Sequence, residues 1–384
     1  MFMRLKDCHN IGDFRKLARQ RIPSPLFNYI DGGSDDELTL RRSTQAFDDC
    51  DLIPNVLNEM NEVDLSTHIF GQKMKLPFFL SPTAMQRLFH HDGERALAKV
   101  AEREGLMVGV STIGTVSIEE LAKITKAPKL FQLYIHKDKG LTYDLINRVK
   151  EANFSAIALT VDTIVAGNRE RDLYTGMTTP PKLTLRSLLS FMTHPEWTLN
   201  YIFRKKFELA QVKDYIKQGT DITSSVVDYI NDQMEPSVSW KDAEDAIKRW
   251  GGPFAIKGIV SVADAKKAVD IGATAIMISN HGGRQLDGSI SPFDALKDIV
   301  DAVGGKIEII LDGGIRRGTH IIKALSLGAN ACSGGRMYLY ALAGAGEKGV
   351  QRAVTKLREE LIRDMMLMGC KSIKDLSRKN IKFR

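Results

Sequence analysis

The chain has 384 residues, of which 43% are apolar and 26% are charged, and its formal net charge is +7. These proportions exclude a disordered protein and are typical of a globular protein with a large core. The positive charge favours anionic partners, either small carboxylate and phosphate ligands or an acidic membrane surface. Nucleic acid is not predicted as a partner, because the basic residues are spread along the chain without a recognisable nucleic-acid-binding module.

The four cysteines are widely separated and form no CxxC or Cys/His pattern; they are Cys8, Cys50, Cys332 and Cys370. They are predicted to be free thiols in a reducing compartment, and no metal site is predicted. The first residues lack the apolar stretch of a signal peptide, and no run of about eighteen apolar residues occurs anywhere. We therefore expect a cytoplasmic protein, and peripheral contact with the inner face of the cell membrane stays open.

The elements predicted from the hydrophobic pattern begin with residues 1–75, a mostly helical N-terminal segment. From residue 76 onward, short apolar runs alternate with amphipathic helical stretches, the pattern of repeated βα units. The eight candidate strands lie at 77–80, 106–110, 129–135, 156–161, 254–259, 274–279, 307–311 and 330–334. Several of the helical stretches open on Asp, Ser or Thr and close on Gly, as capped helices do. Eight units predict an α/β fold, a (β/α)8 TIM barrel forming one domain over 1–384.

The interval between the fourth strand and its helix, residues 163–240, is much longer than an ordinary connection. It is predicted to be a loop insertion over the barrel mouth. Within it, residues 183–207 interleave Leu, Phe, Trp and Tyr with basic side chains. An apolar face beside a basic cluster is typical of a segment that lies in a membrane interface, whereas packing as a lid or at a subunit contact is the alternative.

Polar residues stand at or just after the end of every predicted strand. In strand order they are Ser81-Pro82-Thr83, Ser111-Thr112, Gln132 and Tyr134, Thr160 and Asp162, Lys257, Ser279-Asn280-His281, Asp312-Gly313-Gly314 and Gly334-Gly335-Arg336. Any one of them could simply cap the following helix. Because the C-terminal ends of barrel strands converge on one rim, all eight together favour a functional site there.

Glycine-rich turns follow the last two predicted strands, in LDGGIRRG and SGGR. Such turns expose backbone N–H groups at helix N-termini, and they bring Arg316 and Arg336 close to the same point. This arrangement is typical of the phosphate site of a TIM barrel. The glycines could otherwise serve only as turn formers.

The stretch ISNHGGRQLDG at 278–288 places a histidine and an arginine just after the sixth strand. A histidine exchanges a proton near neutral pH, and an arginine binds a carboxylate through two hydrogen bonds. His281 and Arg284 are therefore predicted to be a base and a carboxylate clamp. Asp287 and the distant Asp162 are both candidates for orienting the histidine.

These motifs also carry a family resemblance. SNHGGRQLDG, FQLY at 131–134, TVDT at 160–163, IKGI at 256–259 and DGGIRRG at 312–318 resemble the FMN-dependent α-hydroxy acid dehydrogenases. The resemblance runs from LFNYIDGGSDDELTLRR near the start to GCKSIKDL near the end. THPEWTLNYIF at 193–203 is most similar to the bacterial L-lactate dehydrogenases of this family.

The resemblance implies a role for individual residues. The implied catalytic residues are His281 as base, Asp162 as the carboxylate that stabilises its protonated form, Lys257 beside the flavin, and Tyr134. The implied substrate-binding residues are Tyr29, Tyr134, Arg169 and Arg284. The implied cofactor-binding residues are Thr83, Ala84, Ser111, Gln132, Thr160, Lys257, Ser279, Asp312, Gly314, Arg316, Gly335 and Arg336. The cofactor would be FMN, and no residue is assigned to a metal.

The implied reaction is oxidation of an L-2-hydroxy acid to a 2-oxo acid, with L-lactate as the leading substrate and a quinone or cytochrome as electron acceptor. The resemblance also implies a homotetramer. A mandelate-type dehydrogenase and an oxidase that uses O2 stay open, because Ile113 replaces a tryptophan of glycolate oxidase and Ala84 is shared with the oxidases. A flavoprotein that acts mainly as a peripheral membrane binder is the alternative from another functional class.

Overall fold

The computed structural model describes residues 3–177, 183–204, 208–215 and 235–384. Its strands are β1 (Cys50–Leu52), β2 (Thr67–Ile69), β3 (Gln72–Met74), β4 (Phe78–Leu80), β5 (Val108–Ser111), β6 (Lys129–Leu133), β7 (Ala156–Thr160), β8 (Phe254–Ile259), β9 (Ala275–Ile278), β10 (Glu308–Asp312), β11 (Ala331–Gly334) and β12 (Ile381–Phe383). Strands β4 to β11 pair in parallel and close into an eight-stranded barrel. All eight predicted barrel strands are confirmed.

The helices of the described chain surround this barrel or extend it. They are α1 (Ile11–Arg21), α2 (Ser24–Asp31), α3 (Leu38–Gln45), α4 (Gln86–Phe89), α5 (Glu94–Glu104), α6 (Ile118–Ile124), α7 (Lys139–Glu151), α8 (Glu170–Thr175), α9 (Leu185–Met192), α10 (Pro195–Phe203), α11 (Trp240–Trp250), α12 (Val262–Asp270), α13 (Pro292–Val303), α14 (Gly318–Leu327) and α15 (Arg336–Met368). The last of them is kinked at Ala345 and Gly346, whose backbone angles are not helical. The predicted TIM barrel is thereby confirmed.

Local sequence explains where the barrel helices begin and end. The side chains of Ser117, Ser261 and Ser291 each accept a hydrogen bond from the backbone N–H three residues later, so they cap α6, α12 and α13. Gly105 and Gly328 end α5 and α14 in the left-handed conformation that glycine adopts without strain. These signals were visible in the sequence, which is why the βα pattern predicted the barrel.

The barrel interior is filled by small and medium apolar side chains, and a hairpin closes its lower end. Interior residues include alanines on four strands, together with Phe79, Met107 and Met277. The hairpin β2–β3 contributes Ile69, Phe70 and Met74 to the same cluster. Because this interior is packed, the polar residues at the upper strand ends are left to line a cavity at the mouth.

The N-terminal segment is less helical than its pattern suggests. Helices α1 to α3 are present, but three short strands follow, and β1 pairs with β12 from the far end of the chain. A strand of three residues that pairs with such a distant partner leaves no periodicity in the sequence. Helix α1 packs along α15, and α2 ends at the barrel mouth, where Tyr29 and Ile30 line the cavity.

The insertion after β7 begins at the barrel mouth, where Arg169 lines the cavity, and its helices α9 and α10 pack against α2 and α4. The backbone N–H of Ser24 donates to the Ser190 hydroxyl (2.9 Å), and Trp197 Nε1 donates to the Leu88 carbonyl (2.9 Å). Part of the predicted interfacial segment 183–207, residues 205–207 with Lys205 and Lys206, lies outside the described residues. Among the helices that are described, none combines the length and hydropathy needed to cross a membrane.

Candidate active site

A cavity of about 460 Å³ opens at the C-terminal ends of the barrel strands. A volume of this size lies in the ordinary range for a small-molecule site. Sixteen of the predicted site residues line it: Tyr29, Thr83, Ala84, Ser111, Gln132, Tyr134, Thr160, Arg169, Lys257, His281, Arg284, Asp312, Gly314, Arg316, Gly335 and Arg336. The other two, Asp162 and Ser279, hydrogen-bond to lining residues. The structure therefore brings all the predicted site residues together.

His281 occupies a sharp turn after β9. Its φ is 54°, and Gly282 and Gly283 continue the turn with φ of 65° and 71°. A positive φ in a histidine is uncommon and costs backbone strain, which at such positions is often linked to function. The turn directs the imidazole into the cavity wall, where Nδ1 lies 3.0 Å from Asp162 Oδ1 and 3.3 Å from the Thr163 hydroxyl. No described residue hydrogen-bonds to Nε2.

Asp162 is the carboxylate that meets the histidine. Burial alone would raise its pKa, but the charge and hydrogen bond of His281, together with Lys257 and Thr163, outweigh burial and hold the pKa below its usual value. The ionised carboxylate can thus stabilise an imidazolium at His281. Asp287, the other candidate, instead accepts hydrogen bonds from the backbone N–H groups of Leu38 and Thr39 at the start of α3.

Two arginines flank one tyrosine on the wall nearest the N-terminal helices. The guanidinium carbons of Arg284 and Arg169 lie 4.8 Å and 5.3 Å from the Tyr29 ring centre. Arg284 donates to the carbonyls of Tyr29 (2.6 Å) and Gly32 (3.1 Å), and Arg169 donates to Asp172 (2.7 Å). Burial and repulsion by Arg169 lower the pKa of Arg284. Two partly desolvated cations side by side favour an anionic ligand between them.

Lys257 lies deep in the cavity and is paired. Its Nζ is 2.9 Å from Asp312 Oδ2 and 3.0 Å from the Ser279 hydroxyl, and Ser333 donates to the other oxygen of Asp312 (2.7 Å). Burial disfavours the charge on Lys257, but Asp312 and Asp162 outweigh it and hold the pKa of the ammonium above its usual value. Asp312 therefore fixes the lysine in its charged form.

The turns after β10 and β11 form the other end of the cavity. Arg336 is half-buried, and its guanidinium donates to three backbone carbonyls, those of Ile30 (2.9 Å), Gly282 (2.7 Å) and Gly32 (2.7 Å). Burial lowers the pKa of Arg336 to about 10, which still leaves it charged at neutral pH. At Gly314 a Cβ would lie 1.9 Å from the Ser43 carbonyl, so only glycine fits there. The turn is thus open to a ligand and rich in positive charge.

The charge balance of the cavity tests whether FMN fits. Its lining contains six cationic side chains and one carboxylate; the cations are Lys137, Arg169, Lys257, Arg284, Arg316 and Arg336. The buried hydroxyl oxygen of Thr160 also lines the cavity and has no hydrogen-bond partner in the described chain. An excess of positive charge at both ends and an unsatisfied buried hydroxyl between them suit a ligand that has a phosphate and polar ring atoms. The residues therefore fit FMN together with a carboxylate substrate.

Several contributors to the site escaped the sequence analysis. Gln285 joins the loops after β7 and β9, because its amide donates to the carbonyls of Asp162 (3.2 Å) and Val165 (2.8 Å). Thr163 contacts His281, as described above. Both residues lie in the sequence motifs that carry the resemblance. Their closeness in sequence to His281 and Asp162 was the one feature that could have identified them. The backbone carbonyls at the end of α2 that accept from Arg284 and Arg336 could not be predicted from sequence, since every residue has a carbonyl.

Comparison with known proteins places this architecture in a family. The model of the FMN-dependent dehydrogenases matches residues 18–383. An L-lactate dehydrogenase from Vibrio parahaemolyticus is 40% identical over 370 residues, which are 96% of this chain and 97% of that protein. One from Ectopseudomonas mendocina is 39% identical over 366 residues, covering 95% and 96% of the two chains.

Solved structures give the same result. The monotopic membrane protein (S)-mandelate dehydrogenase superposes with a TM-score of 0.94 at 30% identity, covering 98% of this chain and 100% of that one. Mandelate oxidase with (S)-4-hydroxymandelic acid has a TM-score of 0.83 at 35% identity, covering 98% and 99%. The residue pattern, the cavity and these likenesses agree, and the chain belongs to the FMN-dependent dehydrogenase family, as an α-hydroxy acid dehydrogenase whose cofactor is FMN.

Proposed function

We propose that this enzyme oxidises L-lactate to pyruvate and passes the electrons to a membrane quinone. The observation that carries the proposal is the position of the His281–Asp162 pair on the same cavity as the Arg169–Arg284 pair. A base and a carboxylate clamp on one cavity are what a 2-hydroxy acid needs, since its acid group and its reacting carbon are adjacent atoms.

The substrate carboxylate would bind between Arg284 and Arg169, which are already partly desolvated. The hydroxyls of Tyr29 and Tyr134 would orient the substrate by hydrogen bonds. Burial, reinforced by the charge of Asp162, raises the pKa of Tyr134 far above neutrality, so its hydroxyl stays protonated and can donate. The clamp would thereby fix the substrate carbon beside His281 before reaction.

His281 would accept the substrate proton at Nε2, the ring nitrogen without a described partner. Asp162 would hold the imidazole through Nδ1 and stabilise the imidazolium that results. FMN, when bound, supplies the two-electron oxidation. The chain would hold it with Thr83, Ala84, Ser111, Gln132, Thr160 and Ser279 along the ring and ribityl chain, and with Arg316, Arg336 and the glycine turns at the phosphate. Lys257 would place its fixed positive charge beside the ring.

The identity of the hydroxy acid rests on the relatives. L-lactate is favoured because the L-lactate dehydrogenases share about 40% of the sequence over nearly the full chain. Mandelate is the second candidate, because the similarity to (S)-mandelate dehydrogenase extends over the whole structure. Ile113 and Ala84 line the cavity and leave space that larger side chains would fill.

The test is anaerobic bleaching of the purified FMN-loaded protein by L-lactate, D-lactate, glycolate and (S)-mandelate. We expect the second-order rate constant of flavin reduction by L-lactate to be at least tenfold above those for the other three acids. Faster bleaching by (S)-mandelate would replace the substrate assignment, and no bleaching by any of the four would reject the proposed reaction. If hydrogen peroxide is released in air at the rate of flavin reduction, the electron acceptor is O2 and not a quinone.

A membrane acceptor is supported by the surface of α9 and α10. The exposed side-chain fractions of Leu185, Met192 and Phe203 are 81%, 75% and 80%, and Arg186 and Arg204 lie on the same two-helix unit. Exposed apolar side chains beside cations suit the headgroup region of an anionic bilayer. The alternative, that 183–207 acts as a lid, has less support, because none of its described residues lines the active-site cavity.

Flotation with phosphatidylglycerol vesicles tests the membrane contact. Replacing Leu185, Met192 and Phe203 by serine should release the protein from the vesicles. The matched control replaces Leu57 and Leu367, which are 99% and 68% exposed but lie outside the insertion, and it should float like the wild type. Equal flotation of both variants would contradict the assignment of this surface.

The predicted homotetramer remains a prediction for the solution state.

A further inference from the structure

A second, smaller cavity lies beside the insertion and shares one lining side chain with the active-site cavity. Its volume is about 80 Å³, and Phe89, which stacks on Tyr29 (6.1 Å between ring centres), lines both cavities. The lining comes from the end of α1, from α4 and the loop after it, from α10, and from α15 at its kink. Its members are Arg21, Ile22, Arg87, Phe89, His90, His91, Glu196, Trp197, Asn200, Tyr201, Arg204, Ala343, Gly344 and Ala345.

The walls of this cavity are fixed by contacts between the elements that form it. Trp197 of α10 donates to the Leu88 carbonyl of α4 (2.9 Å), as described above, and stacks on Tyr201 with ring centres 5.1 Å apart. Arg21 Nη1 donates to Glu196 Oε2 (2.8 Å), which joins α1 to α10. The cavity is therefore formed before any ligand arrives, which reduces the entropic cost of binding.

The lining is strongly cationic. Three guanidinium groups, those of Arg21, Arg87 and Arg204, line the cavity against one carboxylate, that of Glu196, whose side chain is 71% exposed. Two imidazoles, those of His90 and His91, stack at 4.2 Å between ring centres within the same wall. A group of three guanidinium groups that outnumbers its one carboxylate favours a bound anion.

Two buried nitrogens in this lining also lack partners. Nε of Arg21 and Nδ1 of His91 are both inaccessible to solvent, and neither has a hydrogen bond within the described residues. A buried polar group without a partner is energetically unfavourable, so such groups usually mark a missing ligand or water. An oxyanion could accept from Arg21 Nε. Burial lowers the pKa of His91, so a hydrogen phosphate could donate to Nδ1 of the neutral imidazole.

The chemistry and the volume select the class of ligand. The geometry points to a binding site for a phosphate-type oxyanion, separate from the phosphate site of FMN. A volume of 80 Å³ admits roughly five to eight water-sized groups, which matches a tetrahedral phosphate and is small for a quinone ring with its substituents. A divalent cation on His90, His91 and Asp92 is disfavoured, since the guanidinium groups of Arg87 and Arg204 act on His91 and would repel a positive ion there. The phosphate could belong to a free anion or to a phospholipid headgroup at the membrane-facing insertion.

Calorimetric titration of the FMN-loaded protein with inorganic phosphate tests the site. Arg204→Gln should weaken phosphate binding about tenfold, which corresponds to one charge-assisted hydrogen bond. Glu196→Gln should strengthen it several-fold, because the competing carboxylate is removed. Arg186→Gln, an exposed arginine of α9 that does not line the cavity, is the matched control and should bind like the wild type. Any phosphate that binds in the active-site cavity should bind equally to the wild type and to Arg204→Gln, since Arg204 does not line that cavity.

Vesicle binding distinguishes the two sources of phosphate. If the ligand is a headgroup, Arg204→Gln should lose more binding to phosphatidylglycerol vesicles than Arg186→Gln does, and inorganic phosphate should compete. If the ligand is a free anion, the two variants should bind vesicles equally while their titrations differ. Both results support the site. Equal phosphate affinity in the wild type, Arg204→Gln and Glu196→Gln, with equal vesicle binding by the two arginine variants, would overturn it.

Discussion

Asp162→Asn removes one charge from the His281–Asp162 pair and keeps the shape of the side chain. In the proposed reaction the imidazolium of His281 forms 3.0 Å from Oδ1 of a partly buried carboxylate. An asparagine oxygen can still accept a hydrogen bond, so the loss is that of the charge. Hydrogen bonds to charged groups contribute about 1.5–3 kcal/mol, and at an effective dielectric constant near 20 the Coulomb attraction between unit charges about 4 Å apart is about 4 kcal/mol.

Taking about 2–3 kcal/mol as the stabilisation lost from the transition state, flavin reduction should slow by roughly 30- to 160-fold. Anaerobic stopped-flow measurement of flavin bleaching by L-lactate gives this rate directly. The control is Thr163→Val, which removes a hydrogen bond to Asp162 Oδ1 (3.1 Å) and the 3.3 Å contact to the same ring nitrogen without removing a charge, and we expect less than a fivefold effect. Reduction of Asp162→Asn within threefold of wild type, or equal slowing in both variants, would refute the electrostatic reasoning.

Three further variants test the remaining assignments. His281→Gln should retain FMN but lose about 10²- to 10⁴-fold in flavin reduction, measured in the same assay, because a positioned base is removed; normal bleaching would contradict its role. Arg284→Lys should raise KM for L-lactate by roughly 10- to 100-fold in steady-state kinetics, because a point charge cannot replace the guanidinium fork, and an unchanged KM would reject the clamp. Burial would raise the pKa of Asp312, but Lys257 and the hydrogen bonds to the carboxylate hold that pKa below its usual 3.8. The ionised Asp312 therefore stabilises the fold above about pH 4, and this stabilisation is lost as the pH falls further. Asp312→Asn should therefore lower the free energy of unfolding by about 3–5 kcal/mol at pH 6 in urea titrations, and the gap to wild type should narrow below about pH 4; a constant gap would show that the pair is not the cause.

The barrel could be predicted because each of its strands is a continuous apolar run followed by a capped amphipathic helix. The same reasoning located the site, since polar residues at strand ends must share one rim. It could not choose between Asp162 and Asp287 as partner of His281. Asp287 is nearer in sequence, but the loop after β9 turns it towards the start of α3, and distance in the chain says nothing about that turn.

Long-range backbone contacts set the limit of the prediction. Arg336 was placed at the phosphate turn from its motif, whereas its three carbonyl partners come from residues without any distinguishing side-chain feature. Strands β1 and β12 were missed for a related reason. Each has three residues, and the two pair across more than three hundred positions, a distance over which local sequence patterns carry no information.

The carbonyls at the end of α2 also constrain the order in which the protein can mature on the ribosome. Ile30 and its partner Arg336 are 306 residues apart, and Tyr29 and Arg284 are 255 apart. At about 5–20 residues per second, the N-terminal segment waits roughly 15–60 s after its synthesis before the second arginine is made. During that time the end of α2 lacks the guanidinium groups that later occupy it. Assembly of the flavin site is therefore a late event, which coincides with closure of the barrel by its last strand.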